Sequence, residues 1–312
     1  MRGSSEFRSV SRARHHAVNL TTNPVRMYIR YQICHSCITY VHKLIETRVN
    51  NHNQNPASKM SSNRTITKIK YGPHERQRIT HYHSTTNSAS ASSIPLIFIH
   101  GGAWLDSTNT DSDFDDFGSS LLTTESITDI YSIDYRLSPE IQRPNHLNDI
   151  IQAMKTLSLG SKHQKINLSG HSVGVTMVLE LIMKIMENKK EEKELFGYDL
   201  QVEKVYLLDG IYQVQLFKQE YPKWAFFIKD AGYEDYTIDF TNLKSYLGAT
   251  ADQIYIVQSF QDELLSMKQT NWFIEKLNEF QIGYCLKVGD FGKHDEVYHN
   301  EEVAQFINKS YK

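Results

Sequence analysis

The chain has 312 residues, 40% hydrophobic and 22% charged, the balance of an ordinary globular protein. A formal net charge of −2 provides no field favouring nucleic acid or an anionic membrane surface, and no apolar run approaches the roughly 18 residues needed to cross a bilayer. Three cysteines, Cys34, Cys37 and Cys285, are too few for a disulfide framework and suit a reducing compartment.

Residues 1–59 differ from the rest. They hold nine Lys or Arg and only two acids, Glu6 and Glu46. The segment reads as an extension, disordered or loosely attached, and its opening MRGSSEF has the character of an artificial leader. Its Arg-rich, acid-poor composition is also that of a mitochondrial transit peptide, the alternative to a cytoplasmic location. Cys34-x-x-Cys37 has no second pair and no strand–helix unit around it, so no metal or redox role is assigned to it. The folded domain is expected over residues 60–312.

Two early strands are predicted near Thr65–Tyr71 and Arg78–Tyr82, followed by a polar loop, Ser84–Ser93. From Ile94 the pattern alternates. Strand Pro95–His100, helix Asp113–Thr124, strand Ile127–Asp134 and helix Pro144–Leu157 come first. Strand Lys165–Ser169 and the apolar helix Val173–Met186 follow, then a solvated charged run, Lys189–Glu194. Strands Val202–Leu208 and Gln253–Ser259, helix Leu265–Phe280, strand Ile282–Val288 and helix Glu301–Ser310 complete the chain. Strands alternating with helices of this length predict an α/β fold: a mostly parallel, doubly wound sheet with helices on both faces. The aromatic-rich stretch between Asp209 and Gly248 reads as a small cap, about residues 210–248.

Two motifs end strands of this pattern. Gly170-His171-Ser172-Val173-Gly174 lies between a strand and a buried helix, the context of a nucleophile elbow. The turn there is so tight that its neighbours must be small, and it lifts the Ser172 hydroxyl clear of the sheet. Ser172 is the predicted nucleophile. A serine needs a base oriented by an acid. In this fold both follow later, at strand ends on the same edge of the sheet. Asp262, in Ser259-Phe260-Gln261-Asp262-Glu263, and His294, in Phe291-Gly292-Lys293-His294-Asp295, fill these positions. Asp209 also ends a strand and is the competing acid; His171 is read as structural packing beneath the turn.

The second motif, His100-Gly101-Gly102-Ala103-Trp104, lets backbone amides approach a developing negative charge with no side chain in the way. Gly101 and Gly102, with the Val173 amide after the nucleophile, form the predicted oxyanion hole. Trp104 beside it is the predicted substrate-lining ring.

At these residues the chain resembles the α/β-hydrolase superfamily, and within it the kynurenine formamidases (arylformamidases), especially the short fungal type. The resemblance runs from about Met60 to Lys312. It is carried by the two motifs, Tyr135–Glu140, Leu207–Tyr212, Ser259–Leu264 and His294-Asp295. Related esterases usually carry a third glycine where this chain has Ala103; the formamidases instead look like His-Gly-Gly-x-Trp. The resemblance implies hydrolysis of N-formyl-L-kynurenine to L-kynurenine and formate in tryptophan breakdown toward NAD, with no cofactor or metal, and a homodimer. Rival readings are a carboxylesterase of small esters, sharing every catalytic residue, and a hydrolase fold used as a receptor.

Overall fold

Among the described residues, eight strands build one sheet. In chain order the elements are β1 (Arg64–Lys70), β2 (Arg78–Ser84), β3 (Leu96–Ile99), α1 (Asp115–Leu121), β4 (Asp129–Ile133), α2 (Asn145–Leu157), β5 (Lys165–His171), α3 (Val173–Glu187) and β6 (Gln201–Leu208). Then come α4 (Val214–Glu220), α5 (Phe226–Asp230), α6 (Phe240–Leu247), β7 (Ile254–Ser259), α7 (Met267–Glu279), β8 (Cys285–Gly289), a 3₁₀ helix (His294–His299) and α8 (Glu301–Ser310). The computed structural model describes residues 64–85, 93–122, 127–157, 159, 165–188, 196, 200–248 and 252–311, all within the unit Ser58–Lys312. The expectations for residues 1–59, for Cys34 and Cys37, for most of the Ser84–Ser93 loop and for the charged run 189–194 lie outside the described residues.

The strand order is β1-β2-β4-β3-β5-β6-β7-β8. β1 and β2 are antiparallel to their neighbours, and the pairs from β4 to β8 are parallel. The period-2 rule of strands sorts the core into two layers. Ile97, Ile99, Val205, Leu207, Ile254 and Ile256 face the core shared with α2 and α3. Leu96, Phe98, Tyr206, Leu208, Tyr255 and Val257 face the opposite layer, with Phe117 of α1 and Val303 and Ile307 of α8. β3 is apolar at all four positions because both its faces are covered. α3, wedged behind the sheet centre, buries residues on every side, which is why its sequence shows no polar face.

Helix ends follow their caps. Ser266 accepts from Lys268 N and so starts α7 at Met267, two residues after the predicted start. Gln281 adopts a φ of 55° and closes that helix, Ile282 N bonding to Leu277 O at 2.8 Å. The last strand therefore begins at Cys285 rather than Ile282. α1 is shorter than expected because Asp113 is spent in the preceding turn, accepting from Thr110 N and Asn109 Nδ2. The segment 210–248 holds three short helices whose aromatic residues mostly pack inward: Tyr212, Phe217, Phe227, Tyr233 and Tyr236 are buried, whereas Phe226 is exposed.

Candidate active site

The Ser172 turn shows why its flanks are glycine. A Cβ on Gly174 would sit 2.2 Å from Ile99 O, and one on Gly170 would sit 2.6 Å from Gly174 C and O. β3 and the start of α3 touch backbone to backbone here. Ser172 itself is held at φ 56° and ψ −119°, outside the ordinary regions for a non-glycine residue. Its backbone is bound on both sides: Ser172 N donates to Leu208 O at 3.0 Å, and its carbonyl accepts from Val175 N and Ile211 N. The strained turn is thus over-determined by its surroundings. Ser172 keeps 7% of its surface exposed, and its hydroxyl makes no hydrogen bond to another of the described residues.

The imidazole comes from the first residue of the 3₁₀ helix. His294 Nδ1 lies 2.8 Å from Asp262 Oδ2, with the ring only 6% exposed and the carboxylate fully covered. A nitrogen facing a carboxylate carries the proton, which leaves Nε2 as the free acceptor. Asp262 Oδ1 accepts from the amides of Leu264 and Leu265, both at 2.8 Å. The loops carrying the two residues are tied together: Ser259 Oγ donates to Gly292 O, and Gly292 N donates to Gln261 Oε1. His171 closes the link to the serine turn. Its Nε2 donates to the His294 carbonyl at 2.9 Å, and the two rings lie 4.5 Å apart.

Electrostatics follow from this packing. Burial opposes the Asp262 charge, but the His294 hydrogen bond and charge outweigh it and hold the carboxyl below its ordinary value. Burial likewise opposes the His294 charge, yet Asp262 overcomes it and lifts the imidazole to about 9. His171 goes the other way: burial, then the charge of His294, pushes it well below the usual histidine range, so it packs as a neutral ring. Asp209 is fully buried at the end of β6 with φ 40°; its Oδ1 accepts from Ser259 N at 2.8 Å, and its Oδ2 accepts no hydrogen bond among the described residues, the carboxyl lying beside that of Asp262. Burial and the neighbouring Asp262 charge raise it well above the carboxylate range. The two carboxyls are thus pushed in opposite directions, Asp209 toward its neutral form and Asp262, which faces the ring, toward its ionised form. Asp209, Asp262 and His294 bring ligand atoms within 4.8 Å of one another.

The glycine turn sits directly against the elbow. A Cβ on Gly101 would lie 2.9 Å from His171 Nδ1 and 3.0 Å from Ser172 Cβ. Gly102 adopts φ 93°, and the amides of Gly101 and Gly102 have no acceptor among the described residues. Val173 opens α3, so its N–H has no intrahelical acceptor. His100 is buried: its Nδ1 lies 2.9 Å from Gly101 O, its Nε2 3.2 Å from Asp134 Oδ1, and its ring stacks on Tyr135 at 4.4 Å. Tyr135 Oη donates to the carbonyls of His100 and Gly101, and Arg76 pairs with Asp134 at 2.7 Å. Sequence reasoning missed Arg76, Asp134 and Tyr135 as the brace of this turn. Tyr135 stood inside a quoted motif, but its role depends on partners distant in sequence.

Trp104 departs from its expected place. Its indole has no exposed surface and stacks on Tyr233 of the cap, 3.9 Å between ring centroids, with Phe227 at 6.0 Å. It anchors the cap to the glycine turn rather than presenting an open wall. Ala103, at φ 51°, completes the turn.

The comparisons with known proteins agree with this architecture. A family described as alpha/beta hydrolase fold matches residues 96–273. A kynurenine formamidase of Saccharomyces cerevisiae is 36% identical over 225 residues, covering 68% of this chain and 86% of that protein. One from Scheffersomyces stipitis is 31% identical, covering 76% and 96%. Among solved structures, an esterase B from Lactobacillus rhamnosis superposes with a TM-score of 0.67 at 14% identity, covering 88% of this chain and 95% of that one. At that identity the likeness speaks for the fold alone. The fold, the serine elbow and these fungal relatives place the chain in the α/β-hydrolase family, among the kynurenine formamidases.

Proposed function

We propose that this protein hydrolyses N-formyl-L-kynurenine to L-kynurenine and formate, with Ser172 as nucleophile, His294 as general base and acid, and Asp262 as the group that orients the imidazole. The observation that supports the reading is the Asp262–His294 pair bonded at 2.8 Å, with His171, the residue before Ser172, donating to the His294 carbonyl at 2.9 Å. The substrate rests on the relatives named kynurenine formamidase.

Ser172 Oγ attacks the formyl carbon while its proton passes to His294 Nε2. The carbonyl oxygen becomes an oxyanion facing the amides of Gly101, Gly102 and Val173, each such donor contributing about 3 kcal/mol in the transition state. Collapse breaks the C–N bond, and the proton on His294 moves to the departing arylamine. Water, deprotonated by the same nitrogen, then releases formate from the formyl-serine. The catalytic unit is residues 60–312, with the cap at about 210–248 positioned over the glycine turn by the Trp104–Tyr233 stack.

Turnover of N-formyl-L-kynurenine against p-nitrophenyl acetate tests the assignment. The expected result is a higher kcat/KM on the formamide. A preference for the ester by orders of magnitude would replace the formamidase reading with a carboxylesterase. A folded protein whose Ser172 resists fluorophosphonate would leave neither.

A further inference from the structure

His81 and His83 occupy alternate positions of β2, so both rings leave the same face of the sheet. β2 pairs antiparallel with β4 in a register that sets His83 opposite Asp129 and His81 opposite Tyr131. His81 Nε2 thereby lies 2.7 Å, and His83 Nδ1 2.9 Å, from one and the same oxygen, Asp129 Oδ1. The other carboxylate oxygen is occupied: Thr128 Oγ1 donates to Asp129 Oδ2 at 2.8 Å, and Ser93 Oγ is 2.6 Å from Thr128 Oγ1. The His81 ring is fixed further by stacking on Tyr131, 4.3 Å between centroids and 16° from parallel.

We propose that His81, His83 and Asp129 form a binding site for a divalent transition-metal ion of the zinc class. Two imidazole nitrogens and one carboxylate oxygen make the donor set such ions favour, and the three atoms lie within 4.8 Å of one another. Ligands about 2.05 Å from an ion at tetrahedral angles stand about 3.3 Å apart, so the observed contacts need open by only about half an ångström. The Thr128–Ser93 pair orients the carboxylate as outer groups orient metal ligands elsewhere. The side chains of His81, His83 and Asp129 are 21%, 39% and 13% exposed, so each is in part open to solvent.

The site is separate from the serine. Asp129 begins β4, whereas His100 and Asp134 lie just past the opposite ends of β3 and β4. An ion here would cross-link β2 to β4 and take no part in acyl transfer.

The test is titration of the chelator-stripped full chain with Zn²⁺ by calorimetry, with Co²⁺ by visible absorption, and thermal unfolding with and without Zn²⁺. Comparison with His83→Gln, Asp129→Asn and the double variant His81→Gln/His83→Gln separates this site from histidines and cysteines elsewhere. The wild type is expected to take up Zn²⁺, to unfold at a higher temperature with it, and to give the intense absorption of four-coordinate Co²⁺. His83→Gln and Asp129→Asn should each weaken binding at least about ten-fold, and the double variant should lose one equivalent. Fluorophosphonate labelling of Ser172 should stay unchanged in all of them and also reports that each is folded. No Zn²⁺ uptake by the folded wild type, or uptake undiminished in the folded variants, overturns the proposal and leaves a cluster held by protons alone.

Discussion

Glu263 accepts a hydrogen bond from the His294 amide at 3.0 Å, so the residue beside Asp262 fixes the backbone of the histidine whose ring Asp262 orients. Consecutive carboxylates thus hold one histidine at two points, its amide and its ring. Glu263→Gln keeps an acceptor and should retain activity within a few-fold. Glu263→Ala frees the amide and lets the ring wander, and loss of about an ångström of alignment can cost on the order of 100-fold in kcat. Steady-state kinetics of the pair, with KM little changed, checks this.

Ser172→Ala should abolish hydrolysis of formylkynurenine, lowering kcat by at least about 10³-fold. The backbone bonds that set the turn do not involve the hydroxyl, so the fold should survive. Thermal unfolding run beside the kinetics tests both halves, and near-normal turnover would remove Ser172 from the mechanism.

Gly174→Ala probes the fold rather than the chemistry. The new methyl would meet Ile99 O at 2.2 Å and His100 O at 2.8 Å, and both are backbone atoms of the sheet centre that cannot swing aside. A cost of about 3 kcal/mol or more is expected, read as a lower denaturation midpoint in urea with an unchanged m-value.

Local patterns made much of this legible. Short apolar-rich runs between turn residues marked β3 to β7, and Gly-x-Ser-x-Gly between a strand and an apolar helix marked the elbow, because the close approach of Ile99 to Gly174 admits no side chain. Other features were set by contacts between distant segments. The Arg76–Asp134 pair and the Tyr135 bonds that brace the glycine turn join residues tens of positions apart, and no spacing rule announces them. Trp104 sat correctly beside the turn in sequence, but its direction was decided by Tyr233 in the cap. An extended loop would aim Glu263 away from the site, but Leu264 N and Leu265 N curl back onto Asp262, and Glu263 comes round to the His294 amide.

The raised His294 value fixes the sign of the pH response. Only the neutral ring can take the serine proton, so the acid limb of kcat/KM should lie above the ordinary value of about 6.5, displaced toward about 9. Stability runs the opposite way. A folded-state value above the unfolded one stabilises fully below about pH 6.5, and that contribution is lost as pH rises through about 9. In Asp262→Asn the group that lifts the ring is gone while its burial remains, so the limb should move to lower pH. A limb that stays in place would separate the titration from His294.

Asp262 and Asp209 compete for the role of acid, and the opposite directions in which they are pushed distinguish them. Asp262→Asn removes the negative partner of the imidazolium and favours the wrong ring tautomer, for a loss of about 10³-fold or more in kcat. Burial and the Asp262 charge push Asp209 toward its neutral form. An asparagine there can keep the oxygen that accepts from Ser259 N, and its amide takes the place of Oδ2. Asparagine also tolerates the left-handed φ of 40°. Asp209→Asn should therefore stay within about ten-fold of the wild-type kcat, because a neutral amide suits a position where burial opposes a charge and keeps the acceptor for Ser259 N. Kinetics of the two variants, each shown folded by thermal unfolding, decide the matter: a dead Asp209→Asn beside an active Asp262→Asn would move the acid from the end of β7 to the end of β6.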